Sequence, residues 1–216
     1  VIWSAAEREL EGKLRAVPIP IFAGAMGYRL FIAHKNLKDE LEKVSTVEEL
    51  KKFSIGQGIG WVSTDIFIEN GFEVETASYD SLFKMVNYGR IDLYPRGVQE
   101  AYLEVKERKG EMENIFVSED VGVYHPIVVL FYVNNEDQKL YDALLRGMDL
   151  LYRSGKFRDY FVNSKVFKSI NPYLDFENVT WVNLDNKTTP EYLRDASENY
   201  YRMFHLRDAF SDANAN

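Results

Sequence analysis

The chain has 216 residues, 46% hydrophobic and 28% charged, so it can bury the core of one large or two small domains. A formal net charge of -8 without a basic stripe excludes general nucleic-acid binding, which needs clustered Lys and Arg against phosphate. The absence of cysteine excludes thiol catalysis, thiolate metal sites and disulfides. His34, His125 and His205 are too scattered for a metal-ligand spacing, and no cofactor is expected. No apolar run approaches the ~20 residues of a membrane-spanning helix.

In chain order, Val1-Ile2-Trp3 reads as the end of a strand, and Ser4 as the cap of a helix over 5–13 with Glu7 at the third position of a capping box. Residues 14–22 are extended, because Pro18 and Pro20 forbid helix. Residues 28–34 (YRLFIAH) form a strand, and 36–44 and 46–53 are short helices, the second started by Ser45-Thr46 with Glu48 and Glu49 in its first turn.

The stretch 54–100 holds three strand–helix units. Residues 54–59 are a buried strand, 60–64 (GWVST) a turn, and 65–70 a helix that Gly71 ends in the left-handed region. Residues 72–76 alternate as a strand. Ser78 caps a helix with Leu82, Phe83 and Val86 on one face and Gly89 as its stop. Residues 91–94 are a third strand, with a helix starting near Gly97 and continuing, charged, through 101–111. Alternation at this spacing predicts an α/β fold with a parallel sheet, whose ligands bind at the carboxyl ends of strands.

Beyond it, 114–118 and 124–133 read as strands and 137–154 as a long helix ended by Gly155; a short helix covers 157–162. From Lys168 the pattern weakens; 190–210 is a polar helix and 211–216 a disordered end.

Several segments together resemble the type 2 periplasmic substrate-binding proteins, specifically the amino-acid-binding branch of bacterial ABC-transport systems. Glu7-Arg8 is similar to the segment whose arginine grips a ligand carboxylate. Residues 28–35 and 124–133 resemble the two crossover strands. STVEELKKF (45–53), the Gly60…Ser63-Thr64 turn, YDSLFKMVNYGRID (79–92) and the helix pair over 140–161 fall in the family's order and spacing. The resemblance covers roughly residues 1–165. It implies a two-lobed fold, with 1–30 and 128–216 as lobe 1 and 31–127 as lobe 2. The family's first strand–helix portions have no counterpart before Val1, so lobe 1 is expected to be incomplete. Its open sheet would be hidden by dimerisation as a homodimer, by the C-terminal tail, or by a missing N-terminal portion. The start at Val1 rather than Met reads as a processed or truncated chain.

The function implied is extracytoplasmic, periplasmic capture of a small polar, carboxylate-bearing ligand between the lobes, for delivery to the membrane permease of an ABC transporter. It is a binding role without chemistry. The alternatives are a dehydratase-like enzyme with Glu100 as acid or base, or a ligand-sensing domain on the same fold. The candidate ligand-binding residues are Arg8, Trp61, Ser63, Thr64, Arg96, Gly97 and Glu100. Where the family has an aspartate for a ligand ammonium, this chain has Pro95-Arg96-Gly97, which points to an anionic rather than an ordinary amino-acid ligand. Each candidate also has a plain reading: Arg8 as a surface arginine, Ser63 and Thr64 as caps, Trp61 as core, and Arg96 paired with Glu100 one turn on.

Overall fold

The elements follow from local chemistry, read from a computed structural model that describes residues 1–170 and 174–213. The chain lays down β1 (Ile2–Ala5), β2 (Arg15–Val17), β3 (Tyr28–His34), α1 (Lys38–Leu41) and α2 (Val47–Leu50). Next come β4 (Ile55–Gly58), α3 (Val62–Glu69), β5 (Val74–Ala77), α4 (Tyr79–Asn87), β6 (Leu93–Gly97) and α5 (Ala101–Glu107). There follow β7 (Ile115–Tyr124), β8 (Val129–Val133), α6 (Gln138–Arg153), α7 (Lys156–Asn163), α8 (Lys165–Lys168), β9 (Thr180–Asn183), α9 (Glu191–Tyr201) and α10 (Leu206–Ala213). They divide into two compact units: residues 1–26, 126–168 and 186–216, and residues 27–125 with 169–185. The sequence reading put all of 128–216 in one lobe; residues 169–185 instead pack with the second unit.

The second unit holds a six-stranded sheet in the order β5-β4-β6-β3-β7-β9. The three predicted strand–helix units supply β4, β5 and β6, and β4 pairs parallel with both neighbours. β3 enters antiparallel between β6 and β7, so the sheet is mixed where the sequence pattern implied a parallel one. The start of α2 is explicit in the sequence. Thr46 accepts from the Glu49 N–H while Glu49 reaches back to the Thr46 N–H, a closed capping box. Gly71 and Gly89 follow α3 and α4 with φ of 82° and 65°, as helix-stopping glycines do. Leu82, Phe83 and Val86 of α4 are fully buried, with Phe31, Ile55 and Leu93 in the same core.

β7 runs ten residues to Tyr124 with a register irregularity, so the strand assigned to 114–118 is too short. The strand assigned to 124–133 is two, because Pro126 offers no N–H and the ladder breaks between Tyr124 and Val129. β9 has no counterpart in the sequence reading. It adds parallel to β7 in register Val121–Thr180, and Trp181 packs edge-on to Tyr28 at 4.9 Å.

The first unit holds a three-stranded antiparallel sheet, order β1-β8-β2. Ser4 does not cap a helix: it lies in β1 opposite Leu130, and the Ala6 N–H continues the ladder to the Val128 carbonyl. That pairing leaves only a 3-10 turn, Arg8–Leu10, where a helix over 5–13 was expected. α6 is capped by Asp137, whose side chain accepts from the Leu140 N–H at 3.0 Å. The Tyr152 hydroxyl donates to the Pro20 carbonyl at 2.8 Å, and its ring stacks on Phe157 at 4.0 Å. An apolar groove of about 420 Å³ lies among Trp3, Phe22, Phe131, Leu151, Phe157 and Tyr160, with Trp3 60% exposed. The predicted polar helix over 190–210 is two helices, α9 and α10. Residues 211–213 continue α10 rather than fraying, and 214–216 fall outside the described residues.

Candidate functional site

The site in the second unit grows from the carboxyl ends of β4 and β6. A Cβ at Gly58 would run into the Trp61 ring, so glycine is what lets the indole fold back over the end of β4. Trp61 stands in extended conformation at the N-cap of α3. Ser63 and Thr64 lie inside the first turn, buried, and are not the caps of this helix. The Thr64 hydroxyl donates to the Gly58 carbonyl at 3.2 Å and ties the turn to the strand. Helix geometry leaves the N–H groups of Val62 and Ser63 at the start of α3 without intrahelical acceptors, a zone of positive potential, while the Thr64 N–H donates to the Trp61 carbonyl at 2.9 Å.

Arg96 lies on β6 beside this turn, buried, with its guanidinium 4.9 Å from the Trp61 ring and 5.4 Å from each of the Tyr79 and Tyr94 rings. Its fork is occupied. Nε donates to Glu104 Oε2 at 2.8 Å and Nη2 to Glu104 Oε1 at 2.7 Å, while Glu100 Oε2 lies 3.0 Å from Nη2. Tyr79 donates its hydroxyl to the same Glu104 oxygen at 2.8 Å, and its own pKa is pushed up to about 12 by burial and that bond. Burial alone would lower the Arg96 pKa; the Glu104 hydrogen bonds and the charges of Glu100 and Glu104 outweigh it and hold the pKa above the ordinary arginine value. The pairing with Glu100 one turn on, the plain reading of Arg96, is present. Glu104 is the stronger partner, and it lies eight residues away, beyond any helical spacing rule applied to Arg96.

Gly97 ends β6 and does not start a helix; α5 begins at Ala101, with Glu100 at its N-cap. The Gly97 N–H donates to Glu100 Oε2 at 3.2 Å. One guanidinium against two carboxylates leaves this group with an excess negative charge, the opposite of what Arg96 suggests when read alone. Arg8, the remaining candidate, is exposed in the 3-10 turn of the first unit.

The sequence reading missed three further polar groups in the second unit. Arg29 on β3 is only 7% exposed, and its side-chain Nε has no hydrogen-bond partner among the described residues; burial draws its pKa down to about 10. Gln57 on β4 is fully buried, with both amide atoms unpartnered among the described residues. His125, just past β7, is fully buried with both ring nitrogens unpartnered among the described residues; burial first and then the Arg29 charge hold its pKa well below the ordinary value. The signals were visible: an arginine inside an apolar strand, a glutamine between two strand glycines, and a histidine before proline. Among the described residues no group of His, Cys, Asp and Glu could hold a metal ion, and no helix is long and apolar enough to cross a membrane.

No protein-family model matches the sequence, and a search of curated proteins returns no match. Solved structures match through their fold. One is an amino acid ABC transporter substrate-binding protein from Streptococcus pneumoniae Canada MDR_19A bound to L-arginine, 13% identical, TM-score 0.50, covering 77% of this chain and 64% of that one. Another is a periplasmic His/Glu/Gln/Arg/opine family-binding protein from Silicibacter pomeroyi in complex with lysine, 12% identical, TM-score 0.50, covering 78% of this chain and 70% of that one. This chain thus spans about two thirds of the length of these structures. Its fold is that of the type 2 periplasmic binding proteins.

Proposed function

We propose that the protein is an extracytoplasmic solute-binding protein that captures a small, polar, amino-acid-like ligand carrying a carboxylate and hands it to the permease of an ABC transporter. The observation that carries this reading is the pairing of opposite potentials at the carboxyl ends of β4 and β6. The N-terminal turn of α3, at Ser63 and Thr64, favours a carboxylate. The Arg96–Glu100–Glu104 group, with Glu100 partly exposed (35%), favours an ammonium. The Trp61 face beside them suits the apolar part of the ligand. Gly97 leaves the end of β6 without a side chain. Two of the structures with this fold hold L-arginine and lysine, ligands of the same class. The presence of Glu104 shifts the ligand from the purely anionic class that Arg96 implied toward a zwitterion.

A thermal-shift screen of amino acids, small carboxylates and sugars, followed by calorimetry, tests it. A ligand at ~100 times its dissociation constant adds about 2.7 kcal/mol to stability. The expected result is a shift with one or more amino acids and a smaller one with carboxylates lacking the ammonium. Response to sugars alone, or recovery of a chemically altered amino acid after incubation, defeats the binding reading.

A further inference from the structure

Arg29 is the charged member of the buried, unpartnered polar groups that the site described above leaves unexplained among the described residues of the second unit. A buried guanidinium without an acceptor is among the least favourable arrangements a fold can hold. The charges of Glu100 and Glu104 offset only part of its burial and give it no hydrogen bond, because both carboxylates are directed to Arg96 at 2.7–3.0 Å. Residues paired across a sheet share a face, and residues two apart on one strand share it too. Arg29 stands opposite Gly97 of β6 on one side and Val123 of β7 on the other. Gln57 shares that face, because β4 pairs with β6 in register Ile55–Leu93. Gly97 contributes no side chain of its own beside Arg29, and the amide of Gln99 lies over it. Past Val123 the chain reaches His125, whose N–H extends the ladder to the Gly27 carbonyl at 3.1 Å and whose ring meets Phe67 of α3 edge-on.

We propose that Arg29, with the Gln57 amide and a His125 ring nitrogen, forms a buried subsite for a single carboxylate. Their unpartnered donors lie on one face of the sheet: the Arg29 Nε–H, the Gln57 Nε2 hydrogens and the one N–H of a neutral imidazole. Arg29 carries one positive charge, and a carboxylate carries one negative charge. A doubly charged phosphate would leave a buried excess of negative charge near Glu100. A planar carboxylate also matches the guanidinium fork. The inference rests on the solute-binding reading in taking this carboxylate to be the ligand's own, and it names Arg29, rather than Arg96, as its charge partner.

The test uses the full chain and acetate as the probe, with chloride at matched ionic strength as the control. The ¹H–¹⁵N signal of Arg29 Nε, assigned by its loss in Arg29→Lys, should move saturably with acetate, and the melting temperature of the parent should rise. Arg29→Met removes the unpaired charge. It should melt at or above the parent in chloride and lose the acetate response. Arg29→Lys keeps the charge without the fork and should bind acetate at least ~10-fold more weakly. An Arg29 signal unmoved by acetate overturns the inference. So does an acetate response retained in Arg29→Met, or Arg29→Met melting well below the parent in chloride. If Arg29→Met does not fold, the parent signal decides. Amino acids binding the parent and Arg29→Met equally would sink the subsite and leave the solute-binding reading intact. Acetate acting through Arg29 with no amino acid binding would do the reverse.

Discussion

Glu104 anchors the site through three hydrogen bonds, and its loss should be felt in stability before ligand binding is considered. Glu104→Gln keeps the shape and removes the charge. Arg96 then keeps one neutral acceptor in place of a bidentate carboxylate, and Tyr79 loses a charged acceptor. Breaking a buried ion pair by removing one partner costs about 3–5 kcal/mol, because the other charge stays buried. Two features reduce that here. Glu100 remains 3.0 Å from Nη2, and the glutamine carbonyl still accepts one bond. We expect a loss of about 2–4 kcal/mol, read as a shift in the urea midpoint with the slope unchanged. Arg96→Met in the Glu104→Gln background should recover part of it, giving a coupling of at least about 1 kcal/mol in the double-mutant cycle. A Glu104→Gln variant within about 0.5 kcal/mol of the parent would refute the reasoning, since Arg96 would then need no carboxylate from α5.

Gly24→Ala should destabilise the first unit by about 2–4 kcal/mol, since φ of 77° disfavours a Cβ and the added carbon would run into the His205 ring; a chemical-denaturation midpoint unchanged from the parent contradicts this. Stability should fall as pH drops below about 6.5, the ordinary histidine pKa. Burial depresses His125 and His205 in the folded state, so the unfolded chain binds more protons in that range. The slope is up to about 1.4 kcal/mol per pH unit per histidine, with the His205 contribution ending near its folded value of about 4. Urea midpoints that are flat from pH 8 to 5 would show that neither histidine is held neutral by the fold.

The parts of the fold legible in the sequence are those written locally. The β4–α3–β5–α4–β6 run announces itself through period and punctuation, with Gly71 and Gly89 as stops, and α2 before it through Ser45-Thr46 and the acidic first turn at Glu48 and Glu49. What was missed depends on partners distant in sequence. Ser4 looks like a cap, yet β8, more than a hundred residues away, claims Ser4 and Ala5 for a strand. β9 is short and follows a weakly patterned segment; its identity as a strand comes from the open edge of β7. At the site, Trp61 and the α3 turn were found because a strand end followed by a helix start is a sequence signal. The charge balance was not, because Arg96 looks cationic until Glu104 is brought to it by the packing of α5. Arg29, Gln57 and His125 each broke an apolar pattern, but only the register shows that they share a face.

The return of the chain to β9 has a consequence for how the molecule is made. The backbone passes between the two units four times, at residues 26–27, 125–126, 168–169 and 185–186. During synthesis from the N-terminus, β7 emerges with its outer edge bare, and the strand that covers it follows only after most of the other unit has been produced. An open edge of this kind is a template for pairing with other chains. The nascent second unit is therefore exposed to intermolecular strand addition from the time β7 leaves the ribosome until residues 180–183 dock. A fragment ending before β9 keeps that exposure permanently. Aggregation of such fragments would report on the bare edge rather than on any weakness of the central strand–helix core.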